Sequence, residues 1–335
     1  MTGDGTTAGV RLTVAICTWN RCELLRQTLE QMTRLVIPAG IDWELLVVNN
    51  NCTDRTDDVL AEFASRLPIR RLFEPSAGLS HARNRALREA TGEYVLWTDD
   101  DVLVAERWVA EYCAAFAQWP EAAIFGGPID PVFVGTPPDW LPDVLPRVSA
   151  VFALLDLGDE ARAFDAAATP FGANMVVRTS EQRRYPYDPT LGLSWGRPRS
   201  LLGGEETAVL ERMIADGIQG RWVPTARVRH FIPTHRQRIS VIRRYFIGYG
   251  EYNAREAKAD GAPYLFGRPR WWWRQAVESE LRYRVRRLFS RPEAWIEDLI
   301  TSSVYWGQLR AYASAGRPVG GTPPAASMTD RASPR

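Results

Sequence analysis

Three carboxylates stand side by side at Asp99, Asp100 and Asp101, directly after the apolar run "YVLW". Carboxylates this close raise one another's pKa and repel, so the stretch needs something to offset it. A second acidic pair, Glu205 and Glu206, opens "EETAVLERM" just after a double glycine. A carboxylate at such a place can take the proton of an attacking hydroxyl, although acids in a first helical turn are favoured by the macrodipole in any case. Arg83 and Asn84 follow the Gly78 loop, where a guanidinium beside a helix N-terminus makes an anion site. Asn49, Asn50 and Asn51 can serve a turn, since asparagine tolerates left-handed backbone, and Asn49 or Asn50 can also donate and accept hydrogen bonds.

The elements that must position these residues alternate. "RLTVAIC" (11–17), "WELLVV" (43–48), "IRRLFE" and "EYVLWT" read as buried strands. Between them, Asn20 with Glu23 three residues on reads as a capping box for a first helix. A second helix opens at Thr53 or Asp54, and "SHARNRALREATG" is a third. Strict alternation predicts a mostly parallel α/β sheet flanked by helices. Function in such sheets gathers past the carboxyl ends of the strands. Thr18 and Asn20, the asparagine triplet, the Gly78 loop and the aspartate triplet all fall there. "CTWNRCE" contains no glycine, which excludes GxGxxG and P-loop sites. Beyond residue 130, "DPVFVGTPPDWLPDVLP" reads as an irregular loop, "FGANMVVR" as a strand and "RWVPTARVRHF" as extended chain.

The chain has 335 residues, 45% hydrophobic and 24% charged, as expected of a globular protein with a core. It lacks any apolar run near the roughly 18 residues of a membrane span, and its first residues do not resemble a signal peptide. The reading is therefore a cytoplasmic protein. Four cysteines show no CxxC pair or Cys/His spacing, which speaks against disulfides and zinc. Net charge is +1, yet residues 1–220 carry 20 Lys+Arg against 31 Asp+Glu, while residues 221–335 carry 21 against 9. Two parts of opposite charge have different surfaces or attract one another.

The ordered motifs "TVAICTWNR", "LLVVNNNCTDRT", "AGLSHARNRAL", "YVLWTDDDV" and "LLGGEETAVLERM" resemble the inverting glycosyltransferases of family 2, which have the GT-A fold. The resemblance spans about residues 11–235. It implies a nucleotide-sugar donor, a UDP-sugar first, together with Mn²⁺ or Mg²⁺ and a hydroxyl acceptor on a glycan, a lipid-linked sugar or another glycoconjugate. By the same resemblance Asp101, Asp99 and His230 hold metal. Thr18, Asn20, Asn49, Asn50, Arg83, Asp99 and Asp100 bind the donor. Glu206 is the base and Glu205 an acceptor-hydroxyl partner. Two departures stand out. "VVNNNCTD" replaces the family's aspartate-rich version, and Glu205-Glu206 replaces its usual Glu-Asp; Asp188 is the next candidate base.

These readings divide the chain into a flexible start (1–10) and a catalytic domain (11–237) with donor half 11–130 and acceptor half 131–237. A helical arginine-rich region (238–316) and a disordered tail (317–335) follow. In "RWWWRQAVESELRYRVRRLF" (270–289), Val277, Leu281, Val285 and Leu288 form one stripe among arginines. Such a helix can pack its stripe on the catalytic domain or lie on a membrane surface. Nucleic acid is disfavoured by the acidic first part. The rivals to transfer are a non-catalytic sugar-nucleotide-binding protein and a nucleotidyltransferase on a related sheet.

Overall fold

The structure, a computed structural model, describes residues 10–164, 168–191, 204–254 and 263–311. The expected flexible start and terminal tail, and most of the glycine-rich loop before Glu205, lie outside them. Two compact units emerge. One is built from described residues within 10–132, 153–191 and 204–231, and the other from those within 133–152 and 232–311.

The first unit carries a seven-stranded sheet. Its strands are β1 (Arg11–Thr18), β2 (Asp42–Asn49), β3 (Ile69–Phe73), β4 (Tyr94–Asp99), β6 (Ile124–Gly126), β8 (Met175–Arg178) and β9 (Gly220–Trp222), in spatial order β3-β2-β1-β4-β8-β6-β9. The first four strands are mutually parallel, and β8 runs antiparallel to both β4 and β6. Leu45 to Val48 on β2 and Val95 to Trp97 on β4 are buried on consecutive positions, as a strand covered on both faces requires. Helices α1 (Cys22–Met32), α2 (Thr56–Phe63), α3 (Leu79–Glu89), α4 (Trp108–Gln118), α6 (Thr179–Gln182) and α7 (Glu205–Ala215) belong to this unit. A smaller sheet sets β10 (Val228–Ile232) between β5 (Val102–Val104) and β7 (Ile129–Phe133).

Asn174 ties the two sheets together. Fully buried, it accepts from Trp108 Nε1 (2.8 Å) and Tyr112 Oη (2.7 Å) through Oδ1. Its Nδ2 donates to the carbonyls of Pro128 (3.0 Å) and Ala226 (2.7 Å). A buried amide with its polar atoms paired rigidifies rather than destabilises.

The second unit holds α5 (Trp140–Val148), α8 (Ile239–Asn253), α9 (Arg270–Phe289) and α10 (Pro292–Ala311), with a short hairpin of β11 (Tyr264–Leu265) and β12 (Arg268–Pro269). Gly250 of α8 and Gly307 of α10 let these helices touch. A Cβ on Gly250 would lie 2.0 Å from the Val304 carbonyl, and one on Gly307 2.0 Å from that of Ile247.

Two expectations change here. The proline-rich stretch expected as a loop contains β7 and α5. Leu141, Val144 and Val148 are buried at helical spacing, and Pro142 occupies the first turn, where no amide hydrogen is needed. A boundary at 237 gives way to one that groups α5 with the C-terminal helices: Trp140 meets Trp295 at 5.9 Å, and Arg147 pairs with Glu297 at 2.8 Å.

Candidate active site

Strand register brings the first polar residues together. Thr18 lies opposite Asn49 across β1 and β2, and Cys17 opposite Asp99 across β1 and β4. The ends of three parallel strands therefore present Thr18, Asn49 and Asp99 along one edge.

The cation that offsets the aspartates comes from far away in sequence. Arg21 Nη1 donates to Asp100 Oδ1 (3.1 Å) and Asp101 Oδ2 (2.8 Å), and the Thr18 hydroxyl donates to Asp100 Oδ2 (2.7 Å). Asp100 and Asp101 are each only 3% exposed. Burial pushes the Asp100 carboxyl up to about 7 against the pull of Arg21, with Asp101 adding to the rise. Asp99 keeps the most open side chain of the three. On the other side of Asp101, His230 Nε2 stands 3.2 Å from Oδ1. Pairing of β10 with β5 sets His230 opposite Val102, and the Phe231 amide donates to the Asp101 carbonyl at 2.9 Å, which fixes this approach.

The carboxylate oxygen suits Mn²⁺ or Mg²⁺, which commonly complete their shell with phosphates and water, and the imidazole nitrogen beside it suits a transition metal such as Mn²⁺ better than Mg²⁺. Among the described residues, groups of three or more His, Cys, Asp or Glu side chains placed to enclose a metal are absent. The residues thus fit a metal shared with a phosphate ligand, and not an all-protein cage.

A second centre gathers around Arg83, which is 3% exposed. Its Nη1 donates to Glu205 Oε1 (2.7 Å) and Glu206 Oε2 (3.1 Å), and its Nη2 stands 3.9 Å from Asp99 Oδ1. The guanidinium lies over the Tyr187 ring at 5.5 Å. Gly172 leaves room for it, since a Cβ there would sit 2.1 Å from Nη2. Gly204, at φ +111, turns the chain into α7 through backbone that L side chains rarely adopt.

The two glutamates are pushed apart. Burial, then the neighbouring Glu206, raises the Glu205 carboxyl to about 8, and its Oε2 is buried without a hydrogen-bond partner. Burial also opposes the charge on Glu206, but Arg83 and α7 backbone hold that carboxyl below its ordinary range. The pair is thus biased towards charge on Glu206 and a proton on Glu205. Glu205 is only 2% exposed, so the acceptor contact expected of it is closed in this structure.

Other expected donor contacts are occupied. Asn20 does not cap its own helix: its Oδ1 accepts from the amides of Thr53 (2.7 Å) and Asp54 (3.3 Å), while Asp54 Oδ2 accepts from Cys22 at the start of α1 (2.8 Å). The second helix correspondingly begins at Thr56, with Asp54 Oδ1 accepting from its amide (3.1 Å). Asn49 donates to Asp57 (2.9 Å) and accepts from the Cys52 amide (2.8 Å). Asn50, 1% exposed, donates to the carbonyls of Glu74 (2.9 Å) and Ser76 (2.7 Å) and accepts from Gly78 (2.9 Å). The asparagines hold the 74–78 loop to the strand ends. Asn84 makes a reciprocal pair with the Tyr187 backbone, and exposed Asp188 closes a turn onto Thr190. Arg21, Tyr187 and Gly172 were not among the expected site residues. "TWNR" contains Arg21, the first basic residue after β1, which was the available signal.

Comparison with known proteins decides the family. The Glycosyl transferase family 2 model matches residues 13–171, which include β1 to β4, the aspartate triplet and Arg83. Residues 13–171 belong to glycosyl transferase family 2. A validoxylamine A glucosyltransferase of Streptomyces hygroscopicus is 34% identical over 108 residues, 32% of this chain and 25% of its own. The succinoglycan biosynthesis protein ExoM of Rhizobium meliloti is 24% identical over 134 residues, covering 39% and 43%. This chain therefore spans less than half the length of these relatives. The fold is shared with the mannosyltransferase PcManGT of Pyrobaculum calidifontis, solved with GDP-Man and Mn²⁺, at a TM-score of 0.51 and 22% identity over 93% of this chain and 77% of that one. S. aureus TarS 1-349 gives 0.51 and 15% over 90% and 91%. The fold is that of the GT-A glycosyltransferases.

Proposed function

We propose that this protein moves a sugar from a nucleoside-diphosphate sugar, a UDP-sugar first, to a hydroxyl of a glycan or lipid-linked acceptor, with inversion at the anomeric carbon. One observation carries the reading: a single buried guanidinium, Arg83, stands 3.9 Å from Asp99 at the strand edge and 2.7 and 3.1 Å from Glu205 and Glu206. The edge suited to a diphosphate and the carboxylate suited to a hydroxyl proton thus lie at two ends of one side chain.

Asp101 and His230 would hold Mn²⁺ or Mg²⁺, with Asp99 towards the donor. When bound, such a metal would supply positive charge that offsets the diphosphate. Arg21 keeps Asp100 and Asp101 in place. Asn49 and Asn50 shape the nucleotide side through the loop they hold. The acceptor oxygen attacks the anomeric carbon as the bond from that carbon to the diphosphate oxygen breaks. Its proton passes to Glu206, and the nucleoside diphosphate leaves. Glu205 is assigned a positioning role through Arg83.

Thermal shift with UDP-, GDP- and dTDP-sugars, each with and without Mn²⁺, tests the donor half of this reading. A ligand that binds only the folded state raises the midpoint by mass action. The expected result is a Mn²⁺-dependent rise with one nucleotide class. No rise with any of them at millimolar donor would overturn it.

A further inference from the structure

Helix α9 is apolar on two opposite sides. Trp272, Ala276, Ser279 and Tyr283 are buried. Tyr283 meets Trp295 of α10 at 5.9 Å, and Trp272 and Ala276 cluster with Leu309. At 3.6 residues per turn, Val277, Leu281, Val285 and Leu288 fall within about 80° of one another on the other side. They are 45%, 59%, 58% and 75% exposed. A side chain that packs on nothing gains nothing from being apolar, and a contiguous exposed stripe marks a contact surface.

Charge says what the surface fits. By the same helical spacing, Arg270 and Arg274 lie inside the arc of the stripe, Arg274 paired with Glu278 at 2.7 Å on its rim, and residues 270–289 hold six arginines against two glutamates. Aromatic residues stand at both ends, Trp271 at 47% and Phe289 at 84% exposed. The β11–β12 turn adds Phe266, 81% exposed and 6.1 Å from the Trp273 ring. Stripe-to-stripe pairing with a second copy would set Arg270 and Arg274 against their equivalents, which is repulsive. An anionic lipid surface meets both features, since alkyl side chains and rings enter the headgroup boundary while guanidinium groups face the phosphates.

We infer that α9 and the preceding hairpin turn form a docking surface for an anionic membrane, on which the protein lies without crossing it. Among the described residues there is no helix long and apolar enough to span a bilayer. This inference is independent of the sugar-transfer reading, because its test contains no donor.

Flotation of the full chain with phosphatidylcholine vesicles, with and without roughly 30% phosphatidylglycerol, measures the contact. Binding to the anionic vesicles is expected to exceed that to the neutral ones by about ten-fold or more and to weaken with salt. Leu281→Gln with Leu288→Gln should lose about ten-fold in vesicle affinity at unchanged melting temperature, because both side chains are exposed. Arg270→Gln with Arg274→Gln leaves the stripe intact and should lose only the preference for anionic vesicles. Equal indifference of wild type to both vesicles would overturn the inference. So would vesicle binding that neither double variant changes. Concentration-dependent dimerisation in light scattering, removed by the leucine double variant and without vesicle binding, would assign the stripe to a second copy instead.

Discussion

Two carboxylate centres in this protein, one half-buried and one buried, are built from the same residue types and come out opposite. In the second unit, Glu280 meets Arg243 (2.8 Å), Arg284 (2.8 Å) and the Ser302 hydroxyl (2.9 Å). Burial works against its charge, yet these donors hold the carboxyl down to about 2. In the first unit the ratio is inverted. One guanidinium, Arg83, serves Glu205 and Glu206 and stands near Asp99, and Glu205 is pushed up to about 8. A centre with donors to spare locks helices together. A centre short of positive charge leaves one carboxylate able to accept a proton and another forced to keep one, the separation that acid–base chemistry uses.

The sharpest way to break this contrast is Glu206→Gln. It keeps shape and hydrogen bonding but cannot accept a proton at neutral pH. Turnover should fall by roughly 10²–10⁴-fold, with donor affinity nearly unchanged and a lowered melting temperature, since the buried Arg83 loses a charged partner. Steady-state kinetics at saturating donor check it, and near-normal kcat would move the base elsewhere. Glu205→Gln should cost turnover less, because it replaces a neutral acid by a neutral amide. A collapse confined to that variant would exchange the two roles.

Asp101→Ala comes next. If Asp101 and His230 share a metal with the donor, the folded variant should lose the Mn²⁺-dependent part of the donor-induced thermal shift, a loss of about ten-fold or more in apparent donor affinity. An unchanged shift would remove the metal from Asp101. Gly172→Ala should act more weakly and through Arg83 alone. Its Cβ would meet Nη2 at 2.1 Å, so the guanidinium must move. The expected cost is about 1–3 kcal/mol in stability, as for other overpacked sites. The pH–rate profile should also shift its acid limb to higher pH, as Glu206 loses the charge that keeps it ionised. A stability loss with an unmoved profile would make Arg83 merely structural.

Much of this arrangement could be read before the structure was known, and the exceptions have physical reasons. Apolar runs of four residues, VAIC, LLVV and YVLW, mark β1, β2 and β4, because strands covered on both faces need no alternation. The motif order then places Asp99–Asp101 and Glu205–Glu206. What stayed hidden depends on distance or on packing. Arg21 reaches the aspartates across about 80 residues of sequence, and one-dimensional spacing carries no trace of such a pair. Asn20 has the pattern of a helix cap but clamps the neighbouring loop, while Asp54 of that loop caps α1 in return. Local propensity could not tell those two exchanges apart. The α5 prolines suggested a loop, yet Pro142 falls in the first turn, where proline is compatible with helix, and the helix also carries Pro146 in its interior. On α9 the visible stripe was the exposed one. The buried face, made of Trp272, Ala276, Ser279 and Tyr283, is less apolar in composition and owes its burial to α10.

The smallest effect is expected at Glu280, and its sign completes the contrast. Its folded-state pKa, about 2, lies below the roughly 4.3 of an unfolded glutamate. A group with a depressed folded value contributes stability that is present above the unfolded pKa and lost as pH falls through the folded one. Wild type should therefore lose stability from about pH 4.3 down to about 2 through this residue. Glu205 runs the other way: with a folded value near 8, its contribution is complete below about 4.3 and is lost as pH rises towards 8. Glu280→Gln keeps one acceptor oxygen for Arg243 or Ser302 but removes the charge. It should cost about 1–3 kcal/mol at pH 7, flatten the acid limb of the stability curve and leave turnover intact. Glu205→Gln should flatten the neutral limb and leave the acid one. Urea denaturation of both variants between pH 3 and 8 reads the two slopes. If Glu280→Gln lowers kcat at unchanged stability, or if both variants flatten the same limb, the division between a locking centre and a proton-handling centre fails.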